Sequence, residues 1–397
     1  MKTHEFNGLR TNPISVSGSN GNWRLGSNAV IVSDDFGMVG QEGTHNSHFM
    51  VAGDIVASES GILSYGERDE IVVGRDATII VNGESSQAVW VVGVGATISN
   101  AGNVFASDYA LLLEADHSRA TNSGLITGRY GMTAAGDDMR LVNGSNGKIE
   151  AAAVGLYAVT FANEHVMLIN HGAIVAAPDG LAAAGQSGNE TLINAGSMVG
   201  NVDLGSGNDR FDTRGGTIRG ELLLGLDDDT LITDKSNIVL TEFADGGFDT
   251  VKSTVGYTIN DHVEALFLIG SRNIDGDGNN DANQIHGNNG RNVLNGHEGN
   301  DFLVGGKGND RLIGGADGDV FHFGAGGGRD VITDFEDGLD MIDLSDWADV
   351  SSFPDLVKHH LHVEDGRLVI AAGNDSLTIL GIQKDDLNSG DFLFIPL

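Results

Sequence analysis

Residues 305–313 read Gly305-Gly306-Lys307-Gly308-Asn309-Asp310-Arg311-Leu312-Ile313, and the same nine-residue pattern recurs on both sides. Counting back in nines gives Gly-His-Glu-Gly-Asn-Asp-Phe-Leu-Val from 296, Gly-Asn-Asn-Gly-Arg-Asn-Val-Leu-Asn from 287 and Gly-Asn-Asn-Asp-Ala-Asn-Gln-Ile-His from 278. Counting forward gives Gly-Gly-Ala-Asp-Gly-Asp-Val-Phe-His from 314. The eighth position is always apolar (Ile285, Leu294, Leu303, Leu312, Phe321), as the inward residue of a short strand should be. The sixth is Asn283, Asn292, Asp301, Asp310 and Asp319, at the end of a glycine-rich turn. A short fixed period of this kind builds a solenoid, because one repeat has no second layer against which to bury its apolar face.

Turn glycines leave carbonyls exposed, and carbonyls with carboxylates are the oxygen donors that Ca²⁺ takes, six to eight of them at about 2.3–2.6 Å. Two nonapeptides make one coil, so Asp301 and Asp319, 18 residues apart, are expected over each other on one edge, with Asn292 and Asp310 on the other. The unit from 305 matches G-G-x-G-x-D-x-U-x in full, U being a large apolar residue. Here the chain resembles the RTX, or haemolysin-type calcium-binding, repeat family. The resemblance implies calcium held by Gly299, Asp301, Gly306, Gly308, Asp310, Gly315, Asp317 and Asp319. Asn292 is a weaker ligand, since a neutral amide brings one oxygen and no charge. Asp330 and Asp340 are further candidates, in segments that look like the family's closing coil.

A related pattern lies upstream. Leu204-Gly205-Ser206-Gly207-Asn208-Asp209-Arg210-Phe211-Asp212 and Leu224-Gly225-Leu226-Asp227-Asp228-Asp229-Thr230-Leu231-Ile232 place Asp209 and Asp229 at position six, as calcium ligands or as plain acidic turns. Before them a longer period holds: Ala29-Val30-Ile31, Gly53-Asp54-Ile55, Ala77-Thr78-Ile79, Gly102-Asn103-Val104, Gly124-Leu125-Ile126, Gly147-Lys148-Ile149, Gly172-Ala173-Ile174 and Gly196-Ser197-Met198 step by 22 to 25 residues. Each such unit holds three short alternating strands between Gly/Asn/Asp turns. Asn100, Asn122, Asn170 and Asn194 stand two residues before the glycine and predict a stacked amide ladder; Ser145 breaks that column in the unit of Gly147.

The fold expected is all-β: a right-handed parallel β-helix continuing into a calcium-binding parallel β-roll. The expected divisions are an N-terminal cap (1–28), a β-helix of about eight coils (29–203), a transition segment with calcium-like turns (204–270), the roll (271–345) and a C-terminal cap with an export signal (346–397).

Composition agrees. The chain of 397 residues has 22 Lys+Arg against 56 Asp+Glu, a formal net charge of −34, 59 Gly and no Cys. Without cysteine there is neither a disulfide framework nor Cys-ligated metal. A polyanion repels nucleic-acid phosphate and draws divalent cations. No apolar run is long enough to span a membrane, and the N-terminal residues lack the apolar core of a secretory signal. Asp391-Phe392-Leu393-Phe394-Ile395-Pro396-Leu397, an acidic residue followed by an apolar run, is similar to the uncleaved signal by which RTX proteins leave Gram-negative bacteria through the type I secretion apparatus. That resemblance implies a secreted, extracellular or cell-surface protein. The same tail also reads as a last strand capping the roll.

No His-Glu-x-x-His, Gly-x-Ser-x-Gly or Walker motif occurs. One edge of the long coils collects Asp116, His117 and Arg119, then Asp137, Asp138 and Arg140, then Glu164 and His165 at similar offsets. Such a stripe could hold an acidic sugar and move a proton, or be a solvated turn column. Trp23, Trp90 and Trp347 do not cluster beside it. The expectation is a calcium-binding extracellular binding, adhesion or matrix protein, for example of biofilm, with polysaccharide as a partner. The alternative is a polysaccharide lyase, epimerase or hydrolase with an RTX tail.

Overall fold

The computed structural model describes residues 3–394, so Ile395, Pro396 and Leu397 of the proposed tail lie outside the described residues. The chain divides into two compact units, 1–229 and 230–397, each a stack of parallel strands.

In the first unit each coil lays down three strand segments, as the alternating patterns predict, although in two coils the second and third run together as Leu125–Ala135 and Lys148–Val159. One ladder runs through Glu70–Val73, Thr97–Asn100, Arg119–Asn122, Met139–Asn143, His165–Asn170 and Asn189–Asn194, each strand paired in parallel with the next. The other two strands of each coil pair likewise, as in Thr78–Val81 on Asn103–Ala106 and Gln87–Val91 on Tyr109–Leu113. Pairing begins at Thr3–Phe6 against Asn22–Leu25, inside the segment read from sequence as a cap. Inward aliphatics stack in file: Ile55, Ile79, Val104, Ile126, Ile149 and Ile174 are all fully buried. Burying a side chain of this size contributes roughly 1.5–3 kcal/mol, which is why coils stack rather than stand alone.

The asparagine column forms and is unbroken. Nδ2 of Asn100 donates to Oδ1 of Asn122 at 2.8 Å, Asn122 to Asn143 at 2.9 Å, Asn143 to Asn170 at 2.8 Å and Asn170 to Asn194 at 2.9 Å. The expectation that Ser145 interrupts it is wrong. Gly144, Ser145 and Asn146 form a longer turn, so Asn143 rather than residue 145 takes the ladder position, opposite Asn122 and Asn170. A buried amide needs both its donors and its acceptor met, and the ladder meets them without any ion.

The second unit has two strands per coil. Gln284–His286, Phe302–Val304, Val320–His322 and Met341–Asp343 form one ladder, and Gly276–Asp277, Val293–Glu298, Arg311–Ala316 and Arg329–Ile332 the other. The register sets Ile285 over Leu303, Phe321 and Ile342, and Leu294 over Leu312 and Ile332, all fully buried. The unit is closed by an antiparallel hairpin, Arg367–Ala372 with Asp375–Ile379, and by Phe392–Leu393, which pairs with Ile342 and Asp343. The described part of the tail is therefore a capping strand. Among the described residues no helix is long and apolar enough to cross a membrane.

Candidate metal centre

The sixth residue of each nonapeptide sits where a turn enters a strand, and its side chain folds back under the turn instead of reaching solvent. One carboxylate oxygen always has the same partner. Asp301 Oδ1 accepts the Asn283 N–H at 2.7 Å, and Asp319 Oδ1 accepts the Asp301 N–H at 2.9 Å. Asp340 Oδ1 accepts the Asp319 N–H at 2.9 Å. On the other edge Asp310 Oδ1 accepts the Asn292 N–H and Asp330 Oδ1 the Asp310 N–H, both at 2.8 Å. The 18-residue offset thus produces two columns, with Asp330 and Asp340 extending them.

The second oxygen is the informative one. Oδ2 of Asp301, Asp310 and Asp319 is buried without a hydrogen-bond partner, in side chains only 1% exposed. An orphaned buried carboxylate oxygen is costly unless something cationic meets it. Each faces a cradle beside the first glycine of its own nonapeptide. A Cβ on Gly296 would lie 2.0 Å from Asp301 Oδ2 and 2.5 Å from the Gly314 carbonyl oxygen, and one on Gly314 would lie 2.1 Å from Asp319 Oδ2. Any side chain at these positions would collide with those groups; beside Gly296 the two nearest are oxygens, the donor set of a hard cation such as Ca²⁺, while Phe321 also borders Gly314. The residues present therefore fit calcium. Burial pushes Asp301 and Asp319 up to about 7 and Asp310 to about 6, with Asp317 adding to the rise at Asp301 and neighbouring Asp340 at Asp319. Asp330 also rises to about 7 through burial. A divalent ion in the cradles would reverse that preference.

The other expected ligands separate by role. Asp340 spends both oxygens on N–H groups, of Asp319 and Glu336, and so closes its column. Asp317 is exposed, with Oδ2 accepting the Gly299 N–H at 3.3 Å, a brace between turns. Gly299, Gly306, Gly308 and Gly315 all hold positive φ; at Gly315 a Cβ would come within 1.8 Å of the His297 carbonyl oxygen, so the turn tolerates no side chain.

Asn283 and Asn292 show how a turn closes without an ion. Asn283 Oδ1 accepts the Asn279 N–H while its Nδ2 donates to the Val263 carbonyl at 3.1 Å. Asn292 Oδ1 likewise accepts the Asn288 N–H and its Nδ2 donates to the Ile274 carbonyl. The oxygen beside the first glycine takes a turn N–H, the N–H₂ is spent on the preceding coil, and the neutral amide carries no charge for a cation to meet. Asn292→Asp is therefore expected to create one more ion-requiring turn. At sub-saturating calcium its stability should fall by about 3–5 kcal/mol, the range for leaving a buried charge uncompensated, and saturating calcium should restore it. Thermal melts across a calcium titration measure both.

Two turn braces escape sequence reading. Asp334 accepts the Gly314 and Gly315 N–H groups, and Asp375, from the closing hairpin, accepts those of Gly326 and Gly328. Asp375 lies 47 residues from Gly328, beyond any nonapeptide period, so no local signal marks it.

In the first unit, Asp209 Oδ1 accepts the Glu190 N–H and Asp229 Oδ1 the Asp209 N–H, both at 2.6 Å. The polar stripe comes together on one corner, but its acids largely serve the backbone. Asp116 Oδ1 accepts the Asp137 N–H, Asp137 Oδ1 the His165 N–H and Glu164 Oε2 the Phe161 N–H. The His165 N–H holds the Asp137 carboxyl below its usual range. Arg119 and Arg140 are neighbours in register. His117 Nδ1 lies 3.2 Å from Asp138 Oδ2, with side chains 62% and 80% exposed. The aromatic cluster that sequence did not reveal is of tyrosines: Tyr109 stacks on Tyr130 at 4.5 Å and Tyr130 on Tyr157 at 5.6 Å, with the Arg129 guanidinium 5.3 Å from the Tyr130 ring centre.

Comparison with known proteins agrees with the nonapeptide reading. The RTX calcium-binding nonapeptide repeat matches in four copies, over residues 277–312 and 296–332. No curated protein matches the chain. Among solved structures, the chain is similar to the AlgE6R3 subunit of the Azotobacter vinelandii mannuronan C5-epimerase, at 25% identity and a TM-score of 0.27, over 32% of this chain and 81% of that one. It is also similar to the extracellular lipase LipA of Serratia marcescens, at 19% identity and a TM-score of 0.28, over 61% of this chain and 45% of that one. The chain is a parallel β-solenoid protein that carries RTX calcium-binding nonapeptide repeats.

Proposed function

We propose that this is an exported protein whose C-terminal unit folds on calcium after leaving a calcium-poor cytosol, and whose N-terminal solenoid is a binding surface of the cell exterior or matrix. The observation that carries the folding half is the pair of carboxylate columns with buried, partnerless oxygens at Asp301, Asp310 and Asp319. Inside the cell those carboxylates repel and the chain stays threadable; outside, calcium binds only the folded form and draws folding forward. The described tail strand at Phe392–Leu393 is compatible with an export signal that becomes a cap once the roll has formed.

The binding half is supported by the tyrosine stack with Arg129 beside it on the N-terminal coils. Aromatic and guanidinium groups together suit an acidic polysaccharide. The acids Asp116, Asp137 and Glu164 are committed to backbone N–H groups, which favours a bracing role over proton transfer. Incubation of the calcium-loaded protein with acidic glycans, followed by co-sedimentation and by absorbance of unsaturated sugar, tests this. Binding without product is expected. Product formation lost on changing His117 or Arg140 would establish a lyase instead.

A further inference from the structure

In the N-terminal unit, an interior position near the start of the Asn-ladder strands is apolar in two successive coils and then becomes acidic. Met139 pairs in register with Val166, and Val166 with Glu190; all three are buried. Asp209 follows one coil later, its Oδ1 taking the Glu190 N–H. Glu190 is fully buried and Asp209 is 2% exposed. Glu190 Oε1 accepts the Thr160 hydroxyl at 2.7 Å, whereas Glu190 Oε2 and Asp209 Oδ2 are buried with no hydrogen-bond partner. The two carboxyls lie within hydrogen-bonding reach of each other.

What surrounds Glu190 Oε2 repeats the cradle of the roll. A Cβ on Gly185 would lie 2.3 Å from Glu190 Oε2 and 2.2 Å from the Leu204 carbonyl oxygen. At Gly296 the equivalent neighbours are the carboxylate five residues on and the carbonyl one coil on, Asp301 and Gly314. The relation is the same, with Glu in place of Asp and a step of 19 residues in place of 18. The local sequence, Gly185-Gln186-Ser187-Gly188-Asn189-Glu190-Thr191-Leu192-Ile193, is a nonapeptide in outline, although it lies far outside the matched repeats.

An earlier coil shows the ion-free solution. Asp69 is also fully buried, with Oδ1 on the Ser47 N–H, but its Oδ2 accepts the Ser64 hydroxyl at 2.7 Å. A backbone N–H and a hydroxyl thus meet both oxygens of that carboxylate. Nothing of the kind reaches Glu190 Oε2 or Asp209 Oδ2. We propose that the space beside Gly185, lined by Glu190 and the Leu204 carbonyl with the Asp209 carboxylate one coil on, is a calcium site belonging to the N-terminal unit and separate from the roll. It ties together the coils of residues 185–212, where three-stranded coils carry their first buried acidic pair.

The proposal is independent of the export reading, and the roll serves as its internal control. The experiment compares the full-length wild type with Glu190→Gln, in calcium and in chelator, by amide hydrogen exchange and by counting bound calcium. In the wild type, chelation should speed exchange in peptides covering 186–213 by about tenfold or more. Glu190→Gln should bind one calcium fewer and lose that response, while peptides of 290–340 respond as in the wild type. In chelator the variant should exchange more slowly than the wild type over 186–213, because a neutral amide can donate to the Leu204 carbonyl beside it, which a carboxylate cannot. Equal calcium counts in the two proteins would overturn the site. So would wild-type exchange over 186–213 that ignores calcium, since the carboxyl pair then holds a proton; that arm decides alone if the variant does not fold.

Discussion

Chelation of the full-length protein is expected to unfold residues 271–397 while the coils of residues 97–170 stay folded. In the roll, Asp301, Asp310 and Asp319 each bury an oxygen that no protein group meets. Leaving a buried charge uncompensated costs about 3–5 kcal/mol, and three such charges exceed the 5–15 kcal/mol by which an ordinary domain is stable or come close to it. Calcium at 100 times its dissociation constant restores about 2.7 kcal/mol at each site. The coils of residues 97–170 have no such dependence, because every amide from Asn100 to Asn170 finds its neighbour. Circular dichroism should show partial loss of β signal in chelator, and hydrogen exchange should assign that loss to the roll. Superposable spectra and melting curves in both conditions would rule the coupling out.

The second large effect is a pH dependence of unusual sign. In the folded, ion-free roll, burial raises Asp301, Asp319 and Asp330 to about 7 and Asp310 to about 6. In the unfolded chain an aspartate titrates near 3.9. Between about pH 4 and pH 7 the folded state therefore holds more protons than the unfolded one, and stability falls as pH rises. Each group removes about 1.4 kcal/mol per pH unit while it lies between its two values. With calcium saturating the cradles both states are ionised across this window, so the slope from these groups disappears and stability is lost only below about pH 4. Circular dichroism at pH 5 and pH 8 in chelator, with salt to screen the general repulsion of a chain of net charge −34, should show more of the roll folded at pH 5. In calcium the two should agree. A folded fraction in chelator that climbs from pH 5 to pH 8 would contradict the assignment of buried, ion-seeking carboxylates.

The roll was largely legible in the sequence because its period is short and each position has one physical duty. An apolar eighth residue must face inward, and Ile285, Leu294, Leu303, Leu312 and Phe321 all do so. The two edges followed from the same arithmetic, with Asp301 over Asp319 and Asn292 over Asp310. The Asn ladder was legible as a tendency but misplaced at one coil, because aligning glycines hides an insertion between the ladder residue and Gly147; the hydrogen bonds of Asn143 reveal it. Glu190 escaped because a search for Asp or Asn at position six passes over a longer acid, and its 19-residue step to Asp209 fits neither period. Asp375 escaped for a different reason: contacts from a closing hairpin are long-range and leave no periodic trace. At the stripe, spacing placed Asp116, Asp137 and Glu164 on one corner, yet which atom each carboxylate meets depends on turn geometry that spacing does not encode.

All of this rests on the cradles beside the first glycine of each nonapeptide, and a crystal grown in calcium reads them directly. Anomalous difference density is predicted beside Gly296 and Gly314, bonded to Oδ2 of Asp301 and Asp319 and, at Gly296, to the Gly314 carbonyl oxygen. Well-ordered cradles in saturating calcium that contain only water, or closed by a turn of the Asp301 and Asp319 side chains toward solvent, would contradict it.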